Sequence, residues 1–222
     1  MGGGRSPCLM VIDATLGYFG GNPEPIEQSM MTWRHSCGMA AWNALPYIEK
    51  LLGECRALGI PVIYSAQASG GAPVESGMFA LKNARSGEGS GPPVSSGASG
   101  LDPRAIHPVI APIEGEIVIR KRGASVFYGT PLIMYLNRLG VDTLVVTGCV
   151  TSGCVRASVV DAFQNGYRSL VVTDATFDRF EASHAIALFD IHCKYGDVIS
   201  CEEAIQYLRQ SLRTSSDRRP QG

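Results

Sequence analysis

Apolar and polar positions along the chain follow two alternating periods. Short runs rich in β-branched residues, of which CLMVIDA at 8–14 is the first, predict strands. Longer segments with apolar residues at helical spacing, such as AAWNALPYIEKLLGECRALG at 40–59, predict helices. The predicted strands are 8–14, 61–67, 116–122, 142–148, 168–175 and 197–200, and the predicted helices are 40–59, 130–140, 152–166, 181–194 and 201–212. This alternation predicts an α/β fold, with a mostly parallel sheet and helices on both of its faces.

The domain organisation follows from length and local composition. The chain has 222 residues, of which 45% are hydrophobic, and this suits one globular domain, which we place at 8–212. The segment 68–100 is rich in Gly, Ser and Pro, and it is predicted to be either a disordered insertion or a lid near the active site. Residues 1–7 and 213–222 are predicted to be flexible termini.

Charge and cysteine content narrow the function classes. A formal net charge of −1 gives no overall field that would attract nucleic acid or an anionic membrane, so we expect small molecules or other proteins as partners. The seven cysteines are odd in number and scattered, and no basic and then apolar leader precedes them. Free thiols in the cytoplasm are therefore expected. No run approaches the roughly 18 apolar residues of a membrane span.

The stretch VVTGCVTSGCV at 145–155 contains two cysteines with different surroundings. Cys154 follows a glycine at the start of a predicted helix, where unpaired N–H groups and the helix dipole stabilise a thiolate. Cys149 lies on the strand side of the turn, nearer the interior. A small buried apolar residue is the alternative interpretation for either one.

Two further residues with catalytic chemistry lie near predicted strand ends. Asp13 ends an apolar strand and needs a partner to offset its desolvation, unless it caps a turn. Lys121 lies between Arg120 and Arg122, and strand alternation points it away from both, although a solvated basic edge is the alternative. Reactive groups of parallel sheets gather beyond the carboxyl ends of the strands. An aspartate, a lysine and Cys154 suffice for a nucleophilic hydrolase without a catalytic histidine.

Four sequence motifs occur in the same order as in a known protein family. They are VIDATLGYF, IVIRKRGASVFYGTPL, VVTGCVTSGCVRASVVDAFQNGYRSLVVTDATFDR and LFDIHCKYGDV. With these motifs the chain resembles the cysteine hydrolases of the isochorismatase-like superfamily, which includes N-carbamoylsarcosine amidase, maleamate amidase and nicotinamidase. The resemblance implies a three-layer α/β/α sandwich around a Rossmann-like six-stranded sheet, and a catalytic triad of Asp13, Lys121 and Cys154.

The resemblance also implies how the turn before Cys154 stabilises negative charge. It implies a cis peptide bond between Val150 and Thr151 that turns the amide of Thr151 inward. The backbone N–H groups of Thr151 and Cys154 would then form the oxyanion hole. His184 and His192, in contrast, are predicted to be packing or capping residues.

The sequence narrows the identity of the substrate less than it narrows the fold and the catalytic residues. Superfamily members that cleave the vinyl ether of isochorismate lack the cysteine nucleophile, so Cys154 favours an amidase. Nicotinamidases have metal ligands in an Asp-x-His motif after the second strand, where this chain has YSAQASGGAP, so we expect no metal and no other cofactor. In the N-carbamoylsarcosine and maleamate branch an arginine at the position of Arg179 binds the substrate carboxylate; a surface arginine is the alternative. Three aromatic residues are expected to form apolar walls: Phe19, Phe127 and Tyr128.

Together these features predict a cysteine-dependent amidohydrolase that releases ammonia from a small carboxylate-bearing amide or ureido compound through a thioester. N-carbamoylsarcosine-like substrates are the first expectation, with maleamate, biuret-type or nicotinamide-type substrates, or a non-catalytic binding protein, as alternatives. A thiol-redox protein is disfavoured because Cys149 and Cys154 are not in C-x-x-C spacing. The resemblance implies a homodimer or homotetramer.

Overall fold

A six-stranded parallel sheet forms the centre of the molecule. The computed structural model describes residues 2–70, 73–76, 78, 82 and 100–216. The strands are β1 (Pro7–Ile12), β2 (Val62–Gln67), β3 (Ile117–Lys121), β4 (Thr143–Cys149), β5 (Arg168–Phe177) and β6 (Asp197–Ile199). Their order in the sheet is β3-β2-β1-β4-β5-β6, and each neighbouring pair is parallel. The predicted sheet is confirmed.

Helices cover both faces of this sheet. They are α1 (Leu16–Phe19), α2 (Ile26–Ser29), α3 (Met39–Leu58), α4 (Leu132–Arg138), α5 (Arg156–Gln164), α6 (Glu181–Lys194) and α7 (Cys201–Ser216). Helices α3 and α7 bury their apolar residues in one core, and α4, α5 and α6 bury theirs in the other. The result is the predicted α/β/α sandwich. The short helices α1 and α2 have no counterpart in the sequence prediction.

The central strand β1 shows why the sheet has two cores. All six of its residues are buried, and alternate side chains point to opposite faces. Leu9 and Val11 belong to the α3 and α7 core, whereas Met10 and Ile12 belong to the other core. A continuous apolar run is therefore required at this position in the sequence.

Gly148 allows β1 and β4 to approach closely just before the candidate site. It pairs with Ile12 and has a φ of 96°, which favours glycine. A Cβ at this position would lie 2.0 Å from the carbonyl oxygen of Ile12. Because glycine has no Cβ, the end of β1 lies directly beside the end of β4. The predicted catalytic residues Asp13 and Cys154 follow these two strand ends.

The chain ends differ from the predicted boundaries. The backbone N–H groups of Arg5 and Ser6 donate to the carboxylate of Asp142 at 2.8 and 3.1 Å, so part of segment 1–7 is hydrogen-bonded to the domain. Helix α7 continues to Ser216, beyond the predicted boundary at 212. Contacts between residues more than 130 positions apart have no local sequence signal. Most of the predicted lid at 68–100, and residues 217–222, lie outside the described residues.

Within the described part of the chain, no helix combines the length and apolar character needed to cross a membrane.

Candidate active site

A buried ion pair joins the ends of β1 and β3. Asp13 directly follows β1, Lys121 ends β3, and both side chains are fully buried. The Lys121 Nζ lies 2.7 Å from Asp13 Oδ2 and donates to the carbonyl oxygen of Gly123 at 3.0 Å. Ser65 Oγ donates to Asp13 Oδ1 at 2.8 Å. These contacts supply the pairing that a buried carboxylate and a buried ammonium require.

Cys154 lies within reach of the same ammonium. It belongs to a π-helical turn, Thr151–Val155, between β4 and α5, and only 5% of the residue is exposed. Its Sγ is 3.3 Å from Lys121 Nζ. The structure therefore brings together the three residues of the predicted triad, which stand at positions 13, 121 and 154 of the sequence.

The charges at this site favour a protonated thiol. Burial, followed by the Asp13 carboxylate, raises the pKa of Cys154 to about 12, and the opposite effect of Lys121 is smaller. Burial lowers the pKa of Lys121, but the negative charges of Asp13 and Cys154 outweigh it, and the pKa is raised. A single ammonium neutralises Asp13, so a thiolate would add an unpaired buried charge. Burial and the Asp13 charge therefore oppose the thiolate that the helix start was expected to stabilise.

Three backbone N–H groups of the turn are used to hold its shape. Those of Gly153 and Val155 donate to the carbonyl oxygen of Val150 at 2.9 and 3.3 Å. That of Ser152 donates to Asp178 Oδ2 at 2.7 Å. These bonds do not involve the N–H groups of Thr151 and Cys154, whose role as an oxyanion hole stays a prediction.

The cis peptide bond lies one residue earlier than predicted. It joins Cys149 to Val150, so the prediction of a cis bond between Val150 and Thr151 is wrong. The cis geometry that was expected to turn the amide of Thr151 inward therefore belongs to the amide of Val150 instead. Val150 itself is extended, and the π-helical turn begins at Thr151, which places the cis bond at the junction with β4. Neither bond precedes a proline, so the side chains gave no preference between the two positions.

Arg179 lies beside a cleft next to the turn. It follows β5, is half-buried, and its Nη1 donates to the carbonyl oxygen of His35 at 3.4 Å. The cleft has a volume of about 500 Å³, and Arg179, Asp178 and His184 are among its lining residues. Carboxylate binding by Arg179 stays a prediction.

The three predicted wall residues have different environments. Phe19 is fully buried and packs against Phe177 at a ring distance of 5.3 Å, and Phe127 is 7% exposed in the opposite core. Both side chains are packed in the cores, and their role as apolar walls stays a prediction. Tyr128 is 75% exposed, and its ring lies over Gly123, whose carbonyl oxygen binds Lys121.

Tyr18 is a residue of the site that the sequence analysis missed. Burial raises the pKa of its hydroxyl well above the usual range, with smaller contributions from Cys154, Cys149 and Asp13, while Arg179 lowers it. The hydroxyl therefore experiences the fields of both the triad and Arg179. Its position beside Phe19 in the VIDATLGYF motif was the available signal.

Ser65, Asp178 and His184 were also missed as residues that contact the site. Each makes its contact across 26 to 52 positions in sequence, which local patterns do not report. Among the described residues, no group of three or more His, Cys, Asp or Glu side chains could hold a metal ion.

Two curated proteins are similar in sequence to this chain. The chain is 35% identical over 166 residues to the N-carbamoylsarcosine amidase of Arthrobacter sp., covering 74% of this chain and 61% of that protein. It is 50% identical over 100 residues to the maleamate amidohydrolase of Pseudomonas putida, covering 45% of this chain and 47% of that protein. The alignments thus span about half to three-fifths of the length of these relatives.

A solved structure and a family model extend the match to most of the chain. The N-carbamoylsarcosine amidase of Thermoplasma acidophilum superposes with a TM-score of 0.66 and 26% identity, covering 88% of this chain and 96% of that chain. The Isochorismatase domain model matches residues 8–203. The chain belongs to the isochorismatase domain family.

Proposed function

We propose that this protein is an amidohydrolase that uses Cys154 to release ammonia from a small amide or ureido compound carrying a carboxylate. The observation that carries the proposal is the buried chain of contacts from Asp13 to Lys121 at 2.7 Å and from Lys121 to Cys154 at 3.3 Å. These groups are a base, a cation and a nucleophile in contact distance of one another.

In the proposed first half-reaction, Asp13 accepts the thiol proton while Cys154 Sγ attacks the carbonyl carbon of the substrate. The sulfur–carbon bond forms, and the π electron pair of the carbonyl moves to its oxygen. Backbone N–H groups of the turn, that of Cys154 among them, stabilise this oxyanion. The intermediate then collapses, the carbon–nitrogen bond breaks, and the leaving nitrogen takes the proton from Asp13 and departs as ammonia.

In the second half-reaction water hydrolyses the thioester. Asp13 accepts a proton from water as its oxygen attacks the thioester carbon, and the proton then returns to the departing sulfur. Lys121 stays charged throughout and stabilises negative charge on whichever of Asp13 and Cys154 carries it. The raised pKa of Cys154 supports this order, because the thiol loses its proton during attack rather than beforehand.

The substrate class is supported by Arg179 and by the names of two relatives. Maleamate and N-carbamoylsarcosine are both small acids with a nitrogen-bearing carbonyl, and they are the compounds in the names of the relatives described above. A guanidinium suits a carboxylate through two parallel hydrogen bonds. Arg179 borders the cleft, and its charge reaches the Tyr18 hydroxyl that also lies near Cys154. Asp178 and His184, which also line the cleft, contact the turn that carries Cys154. A carboxylate bound by Arg179 would therefore lie next to that turn.

An ammonia-release screen tests the proposal. Its compounds are N-carbamoyl amino acids including N-carbamoylsarcosine, maleamate, biuret and nicotinamide, and each is assayed with the native protein and with Cys154→Ala. We expect release from at least one carboxylate-bearing compound by the native protein only, together with an acyl adduct on the Cys154 peptide by mass spectrometry. Equal release by Cys154→Ala would refute the mechanism, and binding without release would favour a non-catalytic protein.

A further inference from the structure

A single carboxylate ties the Cys154 turn to the segment that carries Arg179. Asp178 Oδ2 accepts the N–H of Ser152 at 2.7 Å, and its Oδ1 accepts the N–H of Arg179 at 2.7 Å. Asp178 is 7% exposed, so these bonds form in a largely desolvated environment where they are strong. The bridge links two backbone segments that are 26 residues apart in sequence.

A histidine on α6 holds the same turn at its first residue. His184 Nδ1 lies 2.8 Å from Thr151 Oγ1, and Thr151 is fully buried. Burial lowers the pKa of His184, against weaker opposite effects of Asp178 and Glu181, so the ring is neutral at neutral pH. Either tautomer of a neutral ring can make this bond, because the threonine hydroxyl both donates and accepts.

We propose that Asp178 and His184 are positioning residues that fix the turn 151–155 relative to Arg179. This inference rests on the proposed function. Asp178 sets the separation between the oxyanion donors and Arg179, because it binds the backbone on both sides. His184 fixes the orientation of Thr151, the first residue of the turn that carries the proposed oxyanion donors. Substrates are then selected by the distance between their carboxylate and their reacting carbonyl carbon.

The two residues have separable kinetic effects. His184→Leu removes the partner of Thr151 but leaves Arg179 in place, so we expect kcat to fall by about a hundredfold with KM nearly unchanged. His184→Asn restores much of kcat, because the asparagine amide occupies approximately the position of Nδ1. In Asp178→Asn the amide NH2 group faces the N–H of either Ser152 or Arg179, and two donors cannot bond to each other. One of the two hydrogen bonds is therefore lost, and we expect a lower kcat and a higher KM.

Matched controls distinguish positioning from general stability. His192 lies on the same helix, and its Nδ1 accepts the N–H of Val198 at 3.2 Å, so His192→Leu also removes a histidine hydrogen bond. Asp142 also binds two backbone N–H groups, those of Arg5 and Ser6, near the amino-terminal end of β4. Asp142→Asn therefore reproduces the Asp178 substitution at a distance from the site. We expect kcat and KM of both controls to match the native protein.

An adduct with succinic semialdehyde gives a readout that does not require turnover. The thiol of Cys154 adds to the aldehyde carbon, the carbonyl π pair moves to oxygen, and that oxygen takes a proton, giving a thiohemiacetal with no other reactant. With a ¹³C-labelled aldehyde carbon, NMR reports conversion to a tetrahedral carbon and hence the Kd. We expect the Kd to rise about tenfold or more in His184→Leu and to recover in His184→Asn.

The outcomes separate the two proposals. If the native protein forms no adduct and releases no ammonia from any screened compound, the proposed function fails. If the native protein forms the adduct but His184→Leu has the same Kd and kcat, the positioning role fails. The positioning role also fails if kcat falls as much in His192→Leu as in His184→Leu, or if His184→Asn restores none of the lost kcat. Thermal unfolding verifies that each variant is folded. His184 is half-buried, and the two variants His184→Leu and His184→Asn test the inference independently of Asp178.

Discussion

Replacing Asp13 by Asn is expected to lower the pKa of Cys154 while abolishing turnover. In the native site one ammonium faces two acidic groups, and Asp13 holds it at 2.7 Å. Removal of the Asp13 charge leaves the thiolate as the anion available to Lys121. Asparagine is the appropriate replacement because Asp13 has a φ of 48°, a left-handed conformation that Asn tolerates.

The magnitude follows from the distance between Lys121 and Cys154. Unit charges 3.3 Å apart interact by about 5 kcal/mol at the effective dielectric constant of about 20 that suits protein sites. That free energy corresponds to more than about a thousandfold change in the ratio of thiolate to thiol. This attraction is already present in the native protein, and Lys121→Met removes it. Asp13→Asn instead removes the repulsion between the carboxylate and a thiolate, so the two variants change the thiol pKa in opposite directions.

The assay is alkylation of Cys154 by iodoacetamide as a function of pH, with modified peptides identified by mass spectrometry. Cys193 is exposed, so every protein carries Cys193→Ser to reduce competing reaction. We expect the pH profile of Asp13→Asn to move to lower pH and that of Lys121→Met to higher pH. If the Asp13→Asn profile stays in place or moves to higher pH, the idea that Asp13 and the Cys154 thiolate compete for the Lys121 ammonium is refuted. Ammonia release by Asp13→Asn, in turn, would remove Asp13 from its proposed proton-transfer role.

Four further predictions concern nearby features. Cys154→Ala is expected to lose ammonia release while its free energy of unfolding, measured with urea, changes by about 1 kcal/mol, because only a small side-chain atom is removed. Ser65→Ala removes the hydrogen bond to Asp13 Oδ1, and we expect a severalfold lower kcat with unchanged KM in steady-state kinetics. Gly148→Ala should destabilise the fold by about 3 kcal/mol or more because its Cβ meets the Ile12 carbonyl, whereas Gly59→Ala, with open space and a φ of 67°, should cost about 1 kcal/mol in the same urea experiment. Light scattering after size-exclusion chromatography is expected to give the mass of a dimer or tetramer, and a monomer mass would contradict this prediction.

The sequence predicted the features of the fold that depend on local patterns. Strands such as β1 are apolar at every position because both faces are buried, and α3 ends at Gly59 in a left-handed conformation as its glycine indicated. The triad was also accessible, because its three residues stand at strand ends or in a distinctive turn. Sequence reasoning placed Asp13 and Lys121 near the thiol, but without distances and burial it could not show that burial and the Asp13 charge outweigh Lys121 in raising the pKa of Cys154.

The remaining features depend on contacts between distant segments. Asp178 and His184 acquire their contacts with the turn only after β5 and α6 pack beside it, and nothing in their own neighbourhoods indicates this. The burial of Phe19 likewise depends on a distant segment, because its ring packs against Phe177.

The neutral state of the Cys154 thiol has a consequence for chemical damage. Peroxides oxidise thiolates to sulfenic acid far more readily than thiols, and the reaction also requires access. A buried thiol with a pKa of about 12 meets neither condition at neutral pH. In the proposed mechanism, the burial and the Asp13 charge that keep the thiol protonated until a substrate arrives would therefore also protect the sulfur from oxidants.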